Sequence, residues 1–136
     1  MAADAQGWAG EFAGLSTLKA THDVFRESLR VYPPVPMMVR ETTRAEVFRK
    51  RYVKPGVQVV LSPWHLHERI WDNPNEFDPT RWQTENGQTG QRTAYMLFLA
   101  VPRVYTGAGF AMIKGVVLLA QKLAEYRLDL APERRP

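Results

Sequence analysis

Residues 98–112 read FLAVPRVYTGAGFAM, an apolar approach to a Pro-Arg turn that leads into a glycine-rich and then strongly apolar segment. Beyond the turn, apolar residues recur at helical spacing, which predicts a long helix over residues 107–125. So apolar a helix is expected to be buried on more than one side. Tyr105 occupies the point where the turn presents a side chain just before the helix. The residues that carry the period are Phe110, Ile113, Val117, Ala120 and Ala124.

The composition restricts the class of protein. A chain of 136 residues with 45% hydrophobic and 24% charged residues is typical of one soluble globular domain. The net charge is +4, but aromatic side chains do not interleave with the basic clusters as a base-stacking platform requires, so no nucleic-acid partner is predicted. Because the chain has no cysteine, disulfides, zinc-thiolate sites and cysteine nucleophiles are excluded.

The N-terminal residues predict a leader rather than a domain. Residues 1–15 are rich in Ala and Gly without periodicity, so we expect a flexible leader followed by one domain over residues 16–136. The leader lacks the basic start and apolar core of a secretory signal, and Lys114 interrupts the apolar run 108–120. That run is also too short to span a bilayer. The sequence therefore predicts a cytoplasmic protein without a membrane span.

The rest of the chain predicts a mixed α+β fold. Helical spacing and the Pro33-Pro34 stop predict a helix over residues 16–31, with Ser16 as its N-cap. Short β-branched runs in 35–43 and 46–62 predict a small sheet, with the KPG turn between paired strands. The remaining segments are predicted as a short helix (62–71), an irregular segment (72–82), a polar surface loop (83–93) and a C-terminal strand (126–132).

Glu27 and Arg30 are three residues apart on the predicted first helix, which places both side chains on one face. An exposed pair of this kind contributes only about 0.3–0.5 kcal/mol, so a solvated helix pair is the simplest interpretation. Arg81, in the proline-rich segment FDPTRW, is a further cation that could reach a carboxylate elsewhere.

Four segments together resemble a known family. ESLR (27–30), YPPVP (32–36), NPNEFDPTRW (73–82) and residues 98–112 are similar, in order and spacing, to the C-terminal third of the cytochrome P-450 family of haem-thiolate monooxygenases. The resemblance covers about residues 16–131. It implies a partial cytochrome P-450 fold with one braced helix, a small β-sheet, a meander (the proline-rich segment 73–82 that contains Arg81), a haem-side loop and a long C-terminal apolar helix. It also implies a structural ion triad made by Glu27, Arg30 and Arg81.

The haem loop of that family reads F-x-x-G-x-R-x-C-x-G, with the cysteine thiolate bound to iron. Phe98, Arg103 and Gly107 match the pattern, whereas Val101 replaces the first glycine and Tyr105 replaces the cysteine. The resemblance therefore implies haem as the cofactor and Tyr105 as the metal ligand. A phenolate oxygen is a harder and weaker donor than a thiolate. A β-branched residue at a position that needs positive φ would cost roughly 1–3 kcal/mol or reshape the loop.

By the same resemblance, Arg40, His67 and Arg103 match positions that contact the haem propionates, where cations are favourable. Taken without the resemblance, His67 is a partly exposed histidine in a short helix. Tyr105 is then a buried core tyrosine that binds no metal.

Three functions remain open at this point. The first is a truncated, degenerate cytochrome P-450-like haem-binding protein without monooxygenase activity and without an assigned catalytic residue. The second is a non-catalytic remnant or interaction module without cofactor, and the third is a haem-dependent monooxygenase. The helix that carries the family's proton-delivering acid and alcohol is not among the matched motifs. An open haem face predicts self-association or a partner chain that covers it.

Overall fold

The computed structural model of the chain describes residues 3–6, 8, 10–98 and 105–129. These residues form a mixed α+β fold, which confirms the predicted class. Three short 3-10 helices accompany the regular elements, at Ala3–Ala5, Phe12–Thr17 and Pro79–Gln83. The helices and strands, in chain order, are α1 (Lys19–Val31), β1 (Met38–Glu41), β2 (Glu46–Phe48), β3 (Arg51–Val53), β4 (Gln58–Leu61), α2 (Pro63–Ile70), α3 (Glu85–Thr93) and α4 (Ala108–Glu125).

The start of α1 differs from the prediction. The helix begins at Lys19, because a 3-10 turn occupies Phe12–Thr17, and Ser16 is not its N-cap. The cap comes instead from Asp4, whose carboxylate accepts hydrogen bonds from the backbone N–H of Ala20 at 2.6 Å and from the hydroxyl of Thr21 at 2.6 Å. An acidic side chain here satisfies free N–H groups and suits the positive end of the helix dipole.

A cluster of buried apolar residues lies between α1 and α4. Ala5, Leu18, Val116 and Ala120 are buried in it, so a residue of the predicted leader contributes to the core. The two helices approach closely at Gly115, where an added Cβ would overlap the ring of Phe25. The flexible character of the leader and a domain boundary after residue 15 stay predictions.

The strands form one long hairpin. β1 pairs antiparallel with β4 and β2 with β3, and the same register runs through both ladders across the interruption at 42–45 and 54–57. The predicted small sheet is therefore two two-stranded ladders. The KPG turn does not join paired strands, so that detail of the prediction is wrong. Thr42 bridges the interruption, since its hydroxyl donates to the carbonyl of Lys54 at 2.7 Å.

The polar segment 83–93 forms helix α3 from Glu85 onward and is not the predicted surface loop. Thr84 caps α3 by accepting a hydrogen bond from Gly87 N at 3.0 Å. Gly90 lies against the indole ring of Trp71, where an added Cβ would be only 3.0 Å from ring atoms. The helix is thus stabilised by its cap and by close packing, neither of which an apolar period reveals.

The helix of 62–71 is confirmed as α2, with the hydroxyl of Ser62 accepting from His65 N at 3.3 Å and Pro63 in the first turn. The long C-terminal helix is confirmed as α4. Residues 126–129 are not in a strand, and the rest of the predicted strand lies outside the described residues.

The expected burial of α4 on several sides is wrong. Of its residues, only Val116 and Ala120 are buried, because α1 and the turn Ala3–Ala5 cover one side of the helix. Phe110, Ile113 and Leu118 remain exposed. None of the described helices combines the length and apolarity needed to cross a bilayer.

Candidate functional site

Three charged side chains meet in the interior where α1 faces the turn Pro79–Gln83. Glu27 and Arg30 come from the last turns of α1, and Arg81 comes from the turn. The carboxylate oxygen Oε1 of Glu27 accepts from Arg30 Nη2 and from Arg81 Nε, both at 2.9 Å, while Oε2 accepts from Arg30 Nε at 2.9 Å. All three side chains are buried, so the solvated pair considered from the sequence alone is wrong.

The two guanidinium groups also order the segment that precedes the turn. Arg30 donates to the carbonyl oxygens of Pro74 at 2.7 Å and Glu76 at 3.0 Å. Arg81 donates to the carbonyls of Asp72 at 2.6 Å and Glu76 at 2.9 Å. Because these backbone oxygens compensate the buried positive charge, the cluster holds an irregular chain segment in one conformation.

An aromatic cluster that no sequence motif singles out adjoins the charged cluster. The guanidinium carbon of Arg26 lies 4.0 Å from the ring centre of Trp82, whose ring meets Tyr95 edge-on at 4.9 Å. The hydroxyl of Tyr95 donates to the carbonyl of Arg26 at 3.0 Å, and burial raises the pKa of this phenol. In the sequence, Asp23 and Arg26 are three residues apart, as Glu27 and Arg30 are. This repeated spacing is the signal that could have pointed to Arg26 as a second paired arginine on α1.

His67 is buried beside this aromatic cluster, not partly exposed. Its Nδ1 lies 3.0 Å from the carbonyl oxygen of Arg30, and since a carbonyl only accepts, Nδ1 carries the proton. Burial lowers the pKa of His67, which favours the neutral ring, although the hydrogen bond opposes part of that shift. As placed, the ring offers no free N–H to a propionate, and the predicted contact stays a prediction.

Arg40 lies on β1, paired opposite Val59, and is exposed. Its guanidinium donates to the carbonyl of the neighbouring Val39 at 3.0 Å. An exposed side chain on a strand can turn toward a bound carboxylate at little cost. Arg103 and Val101 lie outside the described residues.

Tyr105 precedes α4 and is 56% exposed, so it is not the buried core tyrosine considered as an alternative. Its ring stacks on Phe98 with centroids 6.3 Å apart, and its backbone N–H donates to the Phe98 carbonyl at 2.9 Å. The same ring covers Gly107, where an added Cβ would lie 2.8 Å from the phenol oxygen. The phenol is thus held at the N-terminal end of α4 while open to solvent.

This arrangement fits haem at Tyr105. A phenol oxygen can bind haem iron, so the accessible oxygen of Tyr105 would supply a donor, and apolar side chains such as Phe98 and Phe110 would suit a porphyrin. No group of three or more metal-ligating His, Asp or Glu side chains occurs in the part of the chain that the structure describes.

A groove of about 570 Å³ runs between α1, the turn Phe12–Thr17 and α4. Its walls are apolar on the side of α4, at Ile113 and Val116, and polar on the side of α1, at Lys19 and His22. None of the haem-assigned residues that the structure describes lines this groove. The groove and the phenol are therefore separate features.

A helix braced by a buried ion triad, an irregular segment tied to it and a long C-terminal helix are the described features that the resemblance to haem monooxygenases implies. A model of the cytochrome P450 family matches residues 9–136. The chain belongs to the cytochrome P450 family, which confirms the resemblance. The members of this family use haem.

Individual relatives are similar at moderate identity. The chain is 31% identical over 127 residues to Protein LUTEIN DEFICIENT 5, chloroplastic, of Arabidopsis thaliana, covering 90% of this chain and 21% of that protein. It is 31% identical over 128 residues to Cyclooctatin synthase of Streptomyces melanosporofaciens, covering 93% and 28%. It is 35% identical over 123 residues to Cytochrome P450 4X1 of Homo sapiens, covering 88% and 24%. The chain thus spans about a quarter of the length of these relatives.

Proposed function

We propose that this chain is a haem-binding member of the cytochrome P450 family in which Tyr105 supplies the donor to iron. The observation that carries the proposal is the open phenol of Tyr105, held between Phe98 and Gly107 at the start of α4. Arg40 on the exposed strand, and Arg103 by its motif, are proposed to neutralise the propionates. Glu27, Arg30 and Arg81 are proposed to act structurally, by fixing the meander.

We further propose that these 136 residues alone are a degenerate form of the family and do not catalyse monooxygenation. Bound haem would supply an iron that takes up oxygen ligands, but a phenolate donates less electron density than the thiolate that favours O–O cleavage. The matched motifs also lack the helix that, in the family, delivers protons to bound oxygen. A truncated domain over residues 16–136, a cytoplasmic location and the absence of a nucleic-acid partner belong to the same proposal.

Titration of the purified chain with hemin tests the donor. We expect a Soret band and a phenolate-to-iron charge-transfer band, because the phenol of Tyr105 is open. Tyr105→Phe removes the oxygen and is expected to abolish the charge-transfer band and weaken haem binding by about tenfold or more. Tyr126→Phe is the matched control, since Tyr126 is also 56% exposed, and it should leave the spectrum unchanged.

A second variant tests whether the donor atom at position 105 determines the haem spectrum. Tyr105→Cys offers a sulfur donor at the same position, so we expect the Soret band to move while haem is retained. A chain that takes up no hemin, or a Tyr105→Phe variant with the parent spectrum, would contradict the proposal. Hydroxylation of a substrate by these 136 residues with a reductase would favour the monooxygenase instead.

A non-catalytic interaction module is the second candidate, and the exposed apolar side of α4 favours it. Size-exclusion chromatography with and without hemin distinguishes the two. Oligomers that form without hemin support the module, while compaction that depends on hemin supports the haem protein.

A further inference from the structure

The tip of the long hairpin, residues 43–54 with β2, β3 and their turn, is highly exposed. Every residue from 43 to 52 is exposed. The apolar and aromatic side chains are no exception, with Val47 71%, Phe48 66% and Tyr52 67% exposed. A short two-stranded ribbon without a packed face is only marginally stable in water. This ribbon therefore presents apolar surface that the described fold does not cover.

The same tip carries a dense positive charge. Arg44 is paired with Glu46 at 2.7 Å, whereas the other four cations of the tip form no ion pair with a described residue. These are Arg49, Lys50, Arg51 and Lys54, all exposed. Cations beside exposed aromatic rings are typical of surfaces that bind at the headgroup level of a membrane, where rings and long basic side chains share an amphipathic environment.

The register of the ribbon distinguishes lipid from other anionic partners. Val47 pairs with Tyr52 on one face, and Phe48 pairs with Arg51, so Phe48 and Tyr52 point to opposite faces. A nucleic acid or a folded protein would meet one face and leave the other ring in water. In contrast, lipid headgroups contact both faces of a ribbon that is inserted among them. Each strand of the ribbon has three residues and is about 10 Å long. That length is close to the depth of about 5–10 Å to which surface-bound elements enter the headgroup region of a bilayer.

We propose that the β2–β3 tip is a docking surface for an anionic lipid bilayer. The basic residues contact lipid phosphates and carboxylates, and the rings of Phe48 and Tyr52 lie among the headgroups on either side of the ribbon. Each basic residue near such a surface strengthens binding by roughly fivefold. Binding should therefore be moderate in strength and should weaken steeply as salt screens the charges.

The turn allows a variant that removes charge without weakening the ribbon. Arg49 and Lys50 both have positive φ, 48° and 64°, the conformation that a two-residue hairpin turn requires and that Asn-Gly adopts more easily. The double variant Arg49→Asn, Lys50→Gly removes two charges and favours the same turn. The matched control, Arg92→Gln with Lys114→Gln, removes two exposed charges elsewhere.

Co-sedimentation of the full chain with vesicles tests the proposal. We expect binding to vesicles of phosphatidylserine and phosphatidylcholine, little binding to phosphatidylcholine alone, and loss of binding at high salt. The turn variant should weaken binding by about 30-fold, and the control variant far less. Equal binding to neutral vesicles, equal effects of both variants, or tighter salt-sensitive binding to a DNA duplex would overturn the proposal.

A fluorescent label locates the contact. The chain has no cysteine, so one introduced cysteine is labelled alone. A label at Val47→Cys should shift its emission to the blue on anionic vesicles, whereas a label at Gln91→Cys, exposed on α3, should not. A blue shift at Gln91→Cys without one at Val47→Cys would place the contact elsewhere and overturn the assignment.

Discussion

The single carboxylate of Glu27 organises two arginines and, through them, a segment of irregular backbone. It accepts three side-chain hydrogen bonds from the guanidinium groups and one from Asp78 N at 3.1 Å. Taking either arginine away would leave backbone carbonyls without donors in the interior. The residue types and the spacing of Glu27 and Arg30 indicated a pair, and the resemblance added Arg81. The carbonyl partners at 72–76 could not be predicted, because they depend on backbone conformation.

Arg81→Lys tests how much the planar shape of the guanidinium matters. A lysine keeps the charge but cannot donate in three fixed directions to Glu27, Asp72 and Glu76. We expect the free energy of unfolding to fall by about 2 kcal/mol, measured by urea denaturation. Arg69→Lys, an exposed substitution on α2, should change it by less than about 0.5 kcal/mol. Equal effects of the two substitutions would contradict a structural role for the cluster.

Helix α1 shows how an element can depend on a distant part of the chain. Its period and its proline stop predicted the helix and its end, but the sequence could not reveal a cap from sixteen residues upstream, where Asp4 meets Ala20. Helix α3 makes the same point, since its N-cap Thr84 lies in a polar segment and Gly90 is matched to Trp71 only in three dimensions. Local periodicity predicts elements that bury an apolar stripe, not those that pack through glycine.

The variant Asp4→Ala tests whether Asp4 caps α1. Loss of the carboxylate leaves the N–H groups of Ala20 and Thr21 and the Thr21 hydroxyl without their acceptor. We expect the chain to lose about 1 kcal/mol of stability, with the largest change in amide hydrogen exchange in the first turn of α1. Asp129→Ala, at an exposed position with only an exposed ion pair to Arg127, should have little effect. Unchanged exchange in α1 would show that Asp4 is not its cap.

At the scale of the whole molecule, the described elements leave one side of α4 uncovered. The sequence predicted the length of this helix correctly and its burial incorrectly, because composition shows how apolar a helix is but not how many elements pack on it. The described elements supply one covering helix, α1, and a short turn. The relatives are roughly four to five times longer than the segment that matches them.

Phe110, 72% exposed, lies near the start of the uncovered side of α4. If this surface associates, Phe110→Gln should raise the dissociation constant of the oligomer by on the order of tenfold, because it removes a large buried apolar side chain from the contact. Phe77→Gln removes an exposed phenylalanine from the meander and is the control. Sedimentation velocity over a concentration series measures both. A chain that stays monomeric at all concentrations would remove the basis for the interaction module.

The shared register of the hairpin restricts how this part of the chain can change in length. The arms 42–45 and 54–57 are equally long, and the outer strands align only because of that equality. One added residue in a single arm would turn the buried Met38 of β1 outward, since side chains alternate between the faces of a strand. Insertions and deletions are therefore tolerated as matched pairs, one in each arm, or at the two-residue turn itself.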